Sequence, residues 1–510
     1  MTDETSPSTP QLSVGSPGSA SPNETTSAVE KGGIILFQEG HVSIQTQKPF
    51  STLSAIGIGY GVTNTAVGIT TILSTAIPMG GSPQFFWGFL LMAGVGLATA
   101  TTLAELISAI PHPGGQYIWV NKLAPERYRR SLSYTTAMIS WIGAIATGSS
   151  GNLSVPLNAF AIVTLLHPDF VYRRWMGFVA FQVINIVTCF GACFEYVLPK
   201  LSKALLLLNV TSVGVIIITL CAMSRTRTSA EDFFKVVNIS GWPDGVAFII
   251  GLNGANWCFS CLDVATHLAE EIPSPSTNIP KALIWTIVVA TSSGLLMVLA
   301  ILVNLGPIDT AANYLAIDVF YRITGSESAS IGLWVPVLFI VFASVWAVQT
   351  WQSRLAWTLS RESGFPLHRH FSKIFPAPFY TPIWSLVGSA VGTALFGCLY
   401  LVSEVAFNSL IATGVLLQYV SYSIPTILVI WRGRSHFQHG PFWYPKLGLL
   451  ANMTMLSWTV VAFIFYCFPV SSKVLASQMN YVSGVLVLIA VFIISLWFLY
   501  AKKNYRVVEI

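Results

Sequence analysis

Charge is what this sequence has least of. Asp, Glu, Lys and Arg together make up 9% of the 510 residues, where a soluble domain carries about 25%. So little charge cannot cover a surface that faces water, which excludes an ordinary soluble fold. Cysteine is sparse as well, with seven in the chain. Cys189, Cys193, Cys221, Cys258, Cys261, Cys398 and Cys467 all lie inside or at the edge of apolar runs, which excludes a disulfide framework and a zinc site. Metal-ligand spacings, a phosphate-binding glycine loop and a nucleophile elbow are missing too. A nucleotide-driven pump and an enzyme are therefore disfavoured, and neither metal nor cofactor is expected. The net charge of +5 rests on scattered Lys and Arg rather than a patch, so nucleic acid is not an expected partner.

Apolar residues, by contrast, make up 53% of the chain, and the mean hydropathy is +0.66. A bilayer is the solvent that accommodates this, since a helical span needs about 20 mostly apolar residues. Twelve runs fit, near 52–78, 84–110, 134–166, 175–197, 201–223, 243–267, 282–305, 331–357, 382–402, 405–431, 446–468 and 482–501. The third is long enough to include an interfacial turn. The expected fold is all-α and polytopic. Residues 1–48, rich in Ser, Thr, Pro and Gly, read as a disordered cytoplasmic tail with no signal-peptide core. A transmembrane domain follows over 49–501, and 502–510 form a second cytoplasmic tail.

With the N-terminus in the cytoplasm, 17 Lys or Arg fall in or beside inner loops and the C-terminal tail, and 7 fall outside. Both termini are then cytoplasmic by the positive-inside rule. Asn238-Ile-Ser240 becomes a glycosylation candidate in an outer loop.

Spans 1 and 6 carry glycine clusters, Gly57-Ile-Gly59-Tyr-Gly61 and Gly251-Leu-Asn253-Gly254. Each glycine weakens a helix by about 1 kcal/mol relative to alanine. Small residues also serve close helix packing. Two clusters five spans apart nevertheless suit a pair of inverted repeats, each led by a broken helix whose freed backbone lines a cavity. The repeats would cover about 52–223 and 243–431, with trailing spans at about 446–501.

Three segments of the inner loops sharpen this reading. They are Ala104-Glu105 to Pro111-His-Pro113-Gly114-Gly115-Gln116-Tyr117-Ile-Trp119, Asp263 to Pro273 with Pro280-Lys281-Ala282, and Ser360-Arg361-Glu362-Ser-Gly364-Phe365-Pro366. Together they resemble the amino acid, polyamine and organocation permeases, in particular the fungal branch with choline and γ-aminobutyrate permeases. The resemblance implies a five-plus-five inverted repeat with discontinuous helices 1 and 6. It also implies proton-coupled symport by alternating access. One departure stands out: the family usually has glycine two residues before the span 6 aspartate, and this chain has Cys261 before Asp263. Gly251 and Gly254 are the alternative suppliers of the break, which would then lie nearer the helix start.

The substrate-binding candidates on span 1 are Gly59, Tyr60, Gly61, Thr63 and Asn64. On span 6 they are Asn253, Gly254, Trp257 and Phe259, the two aromatics as faces for an ammonium group. Asp263, His267 and Glu270 or Glu271 recur at helical spacing on one face. An ionisable group in a span usually faces the bundle interior, so Asp263 is the candidate proton site or amine counter-ion. His267, Glu270, Glu271 and Glu105 are read as gating groups. The function expected is secondary-active transport of choline, γ-aminobutyrate or an amino acid, at the plasma membrane rather than the vacuolar membrane. Export of a basic secondary metabolite, or a solute sensor that does not transport, is the alternative.

Overall fold

The computed structural model describes residues 34–38, 41–45, 51–194, 198–308, 316–376, 378–379, 381–402, 405–474 and 479–507. The chain divides into two units, Met1–Pro49 and Phe50–Ile510. Of the first, the described part is an antiparallel hairpin, β1 (Ile34–Gln38) against β2 (His41–Gln45), with Ile34 opposite Gln45. The rest of the segment expected to be disordered lies outside the described residues.

The regular elements described in the second unit are helices, apart from an isolated bridge between Met79 and Asn238. Span 1 is split into α1 (Thr52–Thr63), α2 (Thr65–Thr71) and α3 (Leu73–Ala76). Next come α4 (Gly81–Ala109), a short α5 (Gln116–Leu123), α6 (Glu126–Leu166), α7 (Arg174–Ala192) and α8 (Leu198–Ala222). After the small α9 (Ala230–Phe234), span 6 consists of α10 (Asp244–Trp257) and a 3-10 segment (Leu262–Leu268). Then follow α11 (Pro275–Asn304), a short α12 (Ala316–Thr324), α13 (Glu327–Arg361) and the small α14 (His368–Phe371). The bundle ends with α15 (Ile383–Gly397), α16 (Leu399–Val402), α17 (Ala406–Arg432), α18 (Pro445–Phe465) and α19 (Val482–Leu496).

Eleven described segments are long and apolar enough to cross a membrane. Span 1 is the twelfth of the expected runs, and it is not among these, its pieces being 12, 7 and 4 residues long. The third run shows no interfacial turn. It is one helix from Glu126 to Leu166, about 60 Å at 1.5 Å per residue, with Pro156 inside.

Lipid and bundle interior divide the side chains cleanly. Leu207 and Ile218 on α8 and Val487 and Leu488 on α19 are exposed, as lipid-facing positions are. The interior instead collects polar groups, among them Asn64, Asn209, Gln349, Gln352 and Gln418. Each finds a hydrogen-bond partner on another helix, as a buried polar group in hydrocarbon must. Glycine lets these helices approach. A side-chain carbon at Gly57 would meet the Ser202 carbonyl at 3.0 Å, and one at Gly59 would meet the Thr286 hydroxyl at 2.6 Å.

Candidate functional site

Span 1 breaks at one residue. Asn64 takes the left-handed conformation, φ 42° and ψ 45°, which asparagine tolerates better than most side chains. Its N–H closes α1 on the Tyr60 carbonyl at 2.7 Å, and its carbonyl accepts the Gly68 N–H of α2 at 2.7 Å. The Asn64 side chain fixes the kink to two neighbours. Its Nδ2 donates to Ser344 Oγ of α13 at 3.2 Å, and its Oδ1 accepts from Asn209 Nδ2 of α8 at 2.7 Å. Ser344 in turn donates to the Gly61 carbonyl at 2.6 Å. The glycine cluster is thus not the weak point that was expected. α1 continues as one helix through Gly57, Gly59 and Gly61, and Gly57 and Gly61 line a cleft with Asn209 and Ser344.

The span 6 break is longer. α10 contains both Gly251 and Gly254 and continues to Trp257, so neither glycine supplies the interruption. They lie under neighbours instead: a side-chain carbon at Gly251 would meet Gln84 at 2.6 Å and one at Gly254 would meet Ile72 at 3.1 Å. The chain turns over Cys258 to Cys261, and Cys261 sits at φ 62° and ψ 26°. This is left-handed backbone that favours glycine. It accounts for the resemblance's usual glycine at that position, and shows that Cys261 meets the same geometry at a steric cost. The freed Cys261 N–H is accepted by Gln418 Oε1 of α17 at 2.9 Å. The freed Cys258 carbonyl accepts the Thr65 hydroxyl at 2.7 Å, so the two breaks touch.

Below the second break lies a buried polar network. Asp263 is 1% exposed and His267 5%. Tyr422 of α17 donates to Asp263 Oδ1 at 2.7 Å and Gln116 of α5 to Oδ2 at 2.8 Å. His267 Nε2 lies 3.2 Å from the same Oδ2, and its Nδ1 lies 2.6 Å from the Pro113 carbonyl. A carboxylate taken out of water is tolerated only with such partners.

The other candidates separate by role. Tyr60 donates to or accepts from Ser293 of α11 at 2.8 Å, and Thr63 donates back to the Tyr60 carbonyl at 3.3 Å. Asn253 donates to the Asn408 carbonyl at 3.2 Å. With Gly254, it lines a second cleft together with Tyr466 and Asn480. Trp257 donates to Ser150 at 3.1 Å and meets Phe407 edge on. Phe259 is packed against Phe89 with ring centres 5.3 Å apart and lines neither cleft.

Of the gating group, Glu105 accepts both guanidinium nitrogens of Arg434, at 2.9 and 3.0 Å, and the Tyr444 N–H at 3.1 Å. Glu271 pairs with Arg354 at 2.7 Å, while Glu270 and Arg361 stand 4.0 Å apart and largely exposed. The exposed pair is worth little. Asn238 uses its Nδ2 on the Trp242 carbonyl at 2.7 Å and on Asp244 at 2.9 Å.

Sequence reasoning missed Gln418, Tyr422, Asn209 and Ser344. A glutamine and an asparagine inside apolar spans were the available signal, since polar groups at that depth are costly. Gln116 stands in the first of the three inner-loop segments, where nothing local marks it as a partner of Asp263.

Known proteins give this geometry a family. The amino acid permease family model matches residues 50–493. The chain is 77% identical over 493 residues to the transmembrane transporter swnT of Metarhizium robertsii, covering 97% of this chain and 99% of the relative. It is 79% identical over 473 residues to the swainsonine transporter swnT of Arthroderma benhamiae, covering 93% and 95%. It is also 34% identical to the choline transporter of Saccharomyces cerevisiae, covering 94% and 85%. The expected resemblance holds, and with two interrupted spans meeting inside a polytopic helical bundle the chain belongs to the amino acid permease family, as a membrane transporter and not an enzyme.

Proposed function

We propose that the chain exchanges a small hydroxylated basic amine of the swainsonine kind for protons. The identity of 79% over 93% of this chain with the swainsonine transporter carries the substrate class. Our reading is the outward one, export of a basic metabolite, rather than uptake by symport. The chemistry supports it. A buried carboxylate such as Asp263 is stabilised by a proton or by an ammonium group, and a second positive charge at the same site adds little. Competition of that kind links the two as exchange. Asn253, Trp257, Tyr60, Thr63 and Asn64 supply hydroxyl-binding and aromatic groups near the breaks, and the five-plus-five repeat supplies alternating access. The charge asymmetry supports cytoplasmic termini.

Choline is the second reading, favoured by the relative at 34% identity. Both are tested with the full chain in proteoliposomes carrying a pH gradient. Labelled swainsonine should accumulate in vesicles with an acid lumen, above the level of protein-free vesicles. Accumulation of choline alone would select the second reading. Uptake only with acid outside would overturn exchange, and no flux of either amine would overturn the substrate class.

A further inference from the structure

The hydrogen bonds around His267 call for two protons, one on Nδ1 and one between Nε2 and Asp263. Nδ1 faces the Pro113 carbonyl at 2.6 Å, and a carbonyl oxygen only accepts, so Nδ1 carries hydrogen. Nε2 faces Asp263 Oδ2 at 3.2 Å. Two bare lone pairs would repel there, so a second proton lies between them. Asp263 also receives hydrogen bonds from Tyr422 and Gln116, and these two donors favour the carboxylate over the acid. The arrangement is that of an imidazolium against a carboxylate.

Resting on the exchange reading above, we propose that His267 is the carrier of the coupling proton, and that this proton latches the inner loop Pro111–Gly115 onto the broken half of span 6. When the proton departs to water, one N–H remains for two acceptors. The bond to the charged carboxylate is the stronger, so the N–H stays on Nε2. Nδ1 then presents a lone pair to the Pro113 carbonyl, and the loop is released. The loop is shaped for this contact. Gly115 has φ 54°, and a side-chain carbon there would meet the His267 ring at 3.0 Å.

The charged and titratable neighbours are accounted for on each element packed against the pair. Tyr422 comes from α17, Cys261 precedes the 3-10 segment, and His112 is on the loop itself. On α1 and α4, Tyr60 and Glu105 are engaged by Ser293 and Arg434. On α13, Arg354 and Arg361 face Glu271 and Glu270, and Lys281 at the inner end of α11 is exposed. On α5, Tyr117 donates to Glu362 at 3.2 Å. Burial, with Arg361, Lys122 and His267 adding repulsion, lowers His112 to about 4. Burial pushes Glu362 up to about 7, so its own titration falls near neutral pH.

Hydrogen–deuterium exchange of the loop tests the proposal on the full chain with Glu362→Gln as background, after correction for the intrinsic pH dependence of exchange. Protection of the loop and the start of α5 should fall by about tenfold or more as the pH is raised and the proton is lost. His267→Gln should abolish that response, and His112→Gln should preserve it. In vesicles, His267→Gln should flatten the pH profile of amine exchange. Unchanged protection across the range, or an unchanged response in His267→Gln, would overturn the latch. A flat response in a chain that still exchanges amine sinks the latch alone, whereas absent flux with intact pH-dependent protection sinks the exchange reading alone.

Discussion

The two broken spans solve one problem in different ways. Span 1 departs from helix at Asn64 alone, and the kink is held by amides and a hydroxyl, from Asn209 and Ser344. Span 6 departs over Cys258 to Cys261 and resumes as a 3-10 segment bearing Asp263 and His267. None of the groups at the first break titrates near neutral pH, whereas the second carries a carboxylate and an imidazole. The first break is therefore a fixed point, and the second is where chemistry can change the structure.

The comparison is most easily broken at Asp263. Asp263→Asn removes one partner of a buried charged pair, which costs several kcal/mol. Exchange driven by a pH gradient should fall by ~100-fold or more, read as initial rates in vesicles. If a similar loss followed from Asn209→Ala, the division of labour between the breaks would fail.

Next in size is the fixed point itself. Asn64→Ala must bear a left-handed backbone and loses two interhelical hydrogen bonds, so stability should drop by about 2–3 kcal/mol. Asn64→Gly keeps the backbone and should lose about 1 kcal/mol. Thermal unfolding in detergent separates the two, and equal losses would show that the side-chain bonds alone matter. Gln418→Leu should cost about 1–3 kcal/mol by orphaning the Cys261 N–H, and it should perturb transport more than stability if the second break is the moving one.

Cys261→Gly should stabilise by about 1 kcal/mol, because glycine adopts φ 62° without steric cost. Cys261→Ala should give no such gain. The smallest effect concerns the C-terminal segment. Tyr505 is docked by Arg130, which donates to its carbonyl at 2.6 Å, and by Ser133. Glu362 accepts the Arg506 N–H on its carbonyl at 3.0 Å. Burial raises the Glu362 carboxyl to about 7, so the folded state favours its protonated form. Docking is then strongest below the ordinary carboxyl value and weakens as pH rises through about 7. Limited proteolysis of the C-terminal end should follow that course, and Glu362→Gln should flatten it while leaving the response of the inner loop intact.

The spans themselves were legible because lipid imposes length and apolarity on each segment independently, so local composition suffices. That spans 1 and 6 are broken was legible too, from paired glycine clusters. Where they break was not. Gly57, Gly59, Gly251 and Gly254 serve contacts with Ser202, Thr286, Gln84 and Ile72, and glycine for close approach looks the same in sequence as glycine for a kink. The interruptions fall on Asn64 and Cys261, whose backbone is fixed by Asn209, Ser344 and Gln418 from distant helices. Asp263 and His267 were visible as ionisable groups on one face. Their partners Gln116, Tyr422 and Pro113 come together only through tertiary packing.

The Thr65 hydroxyl on the Cys258 carbonyl has a mechanical consequence. α2 and α3 are short rods seated on the same stretch of α10, with Ile72 against Gly254 and Thr75 in the wall of the second cleft. A displacement of Cys258 would therefore be felt at Thr65 and along α2 and α3.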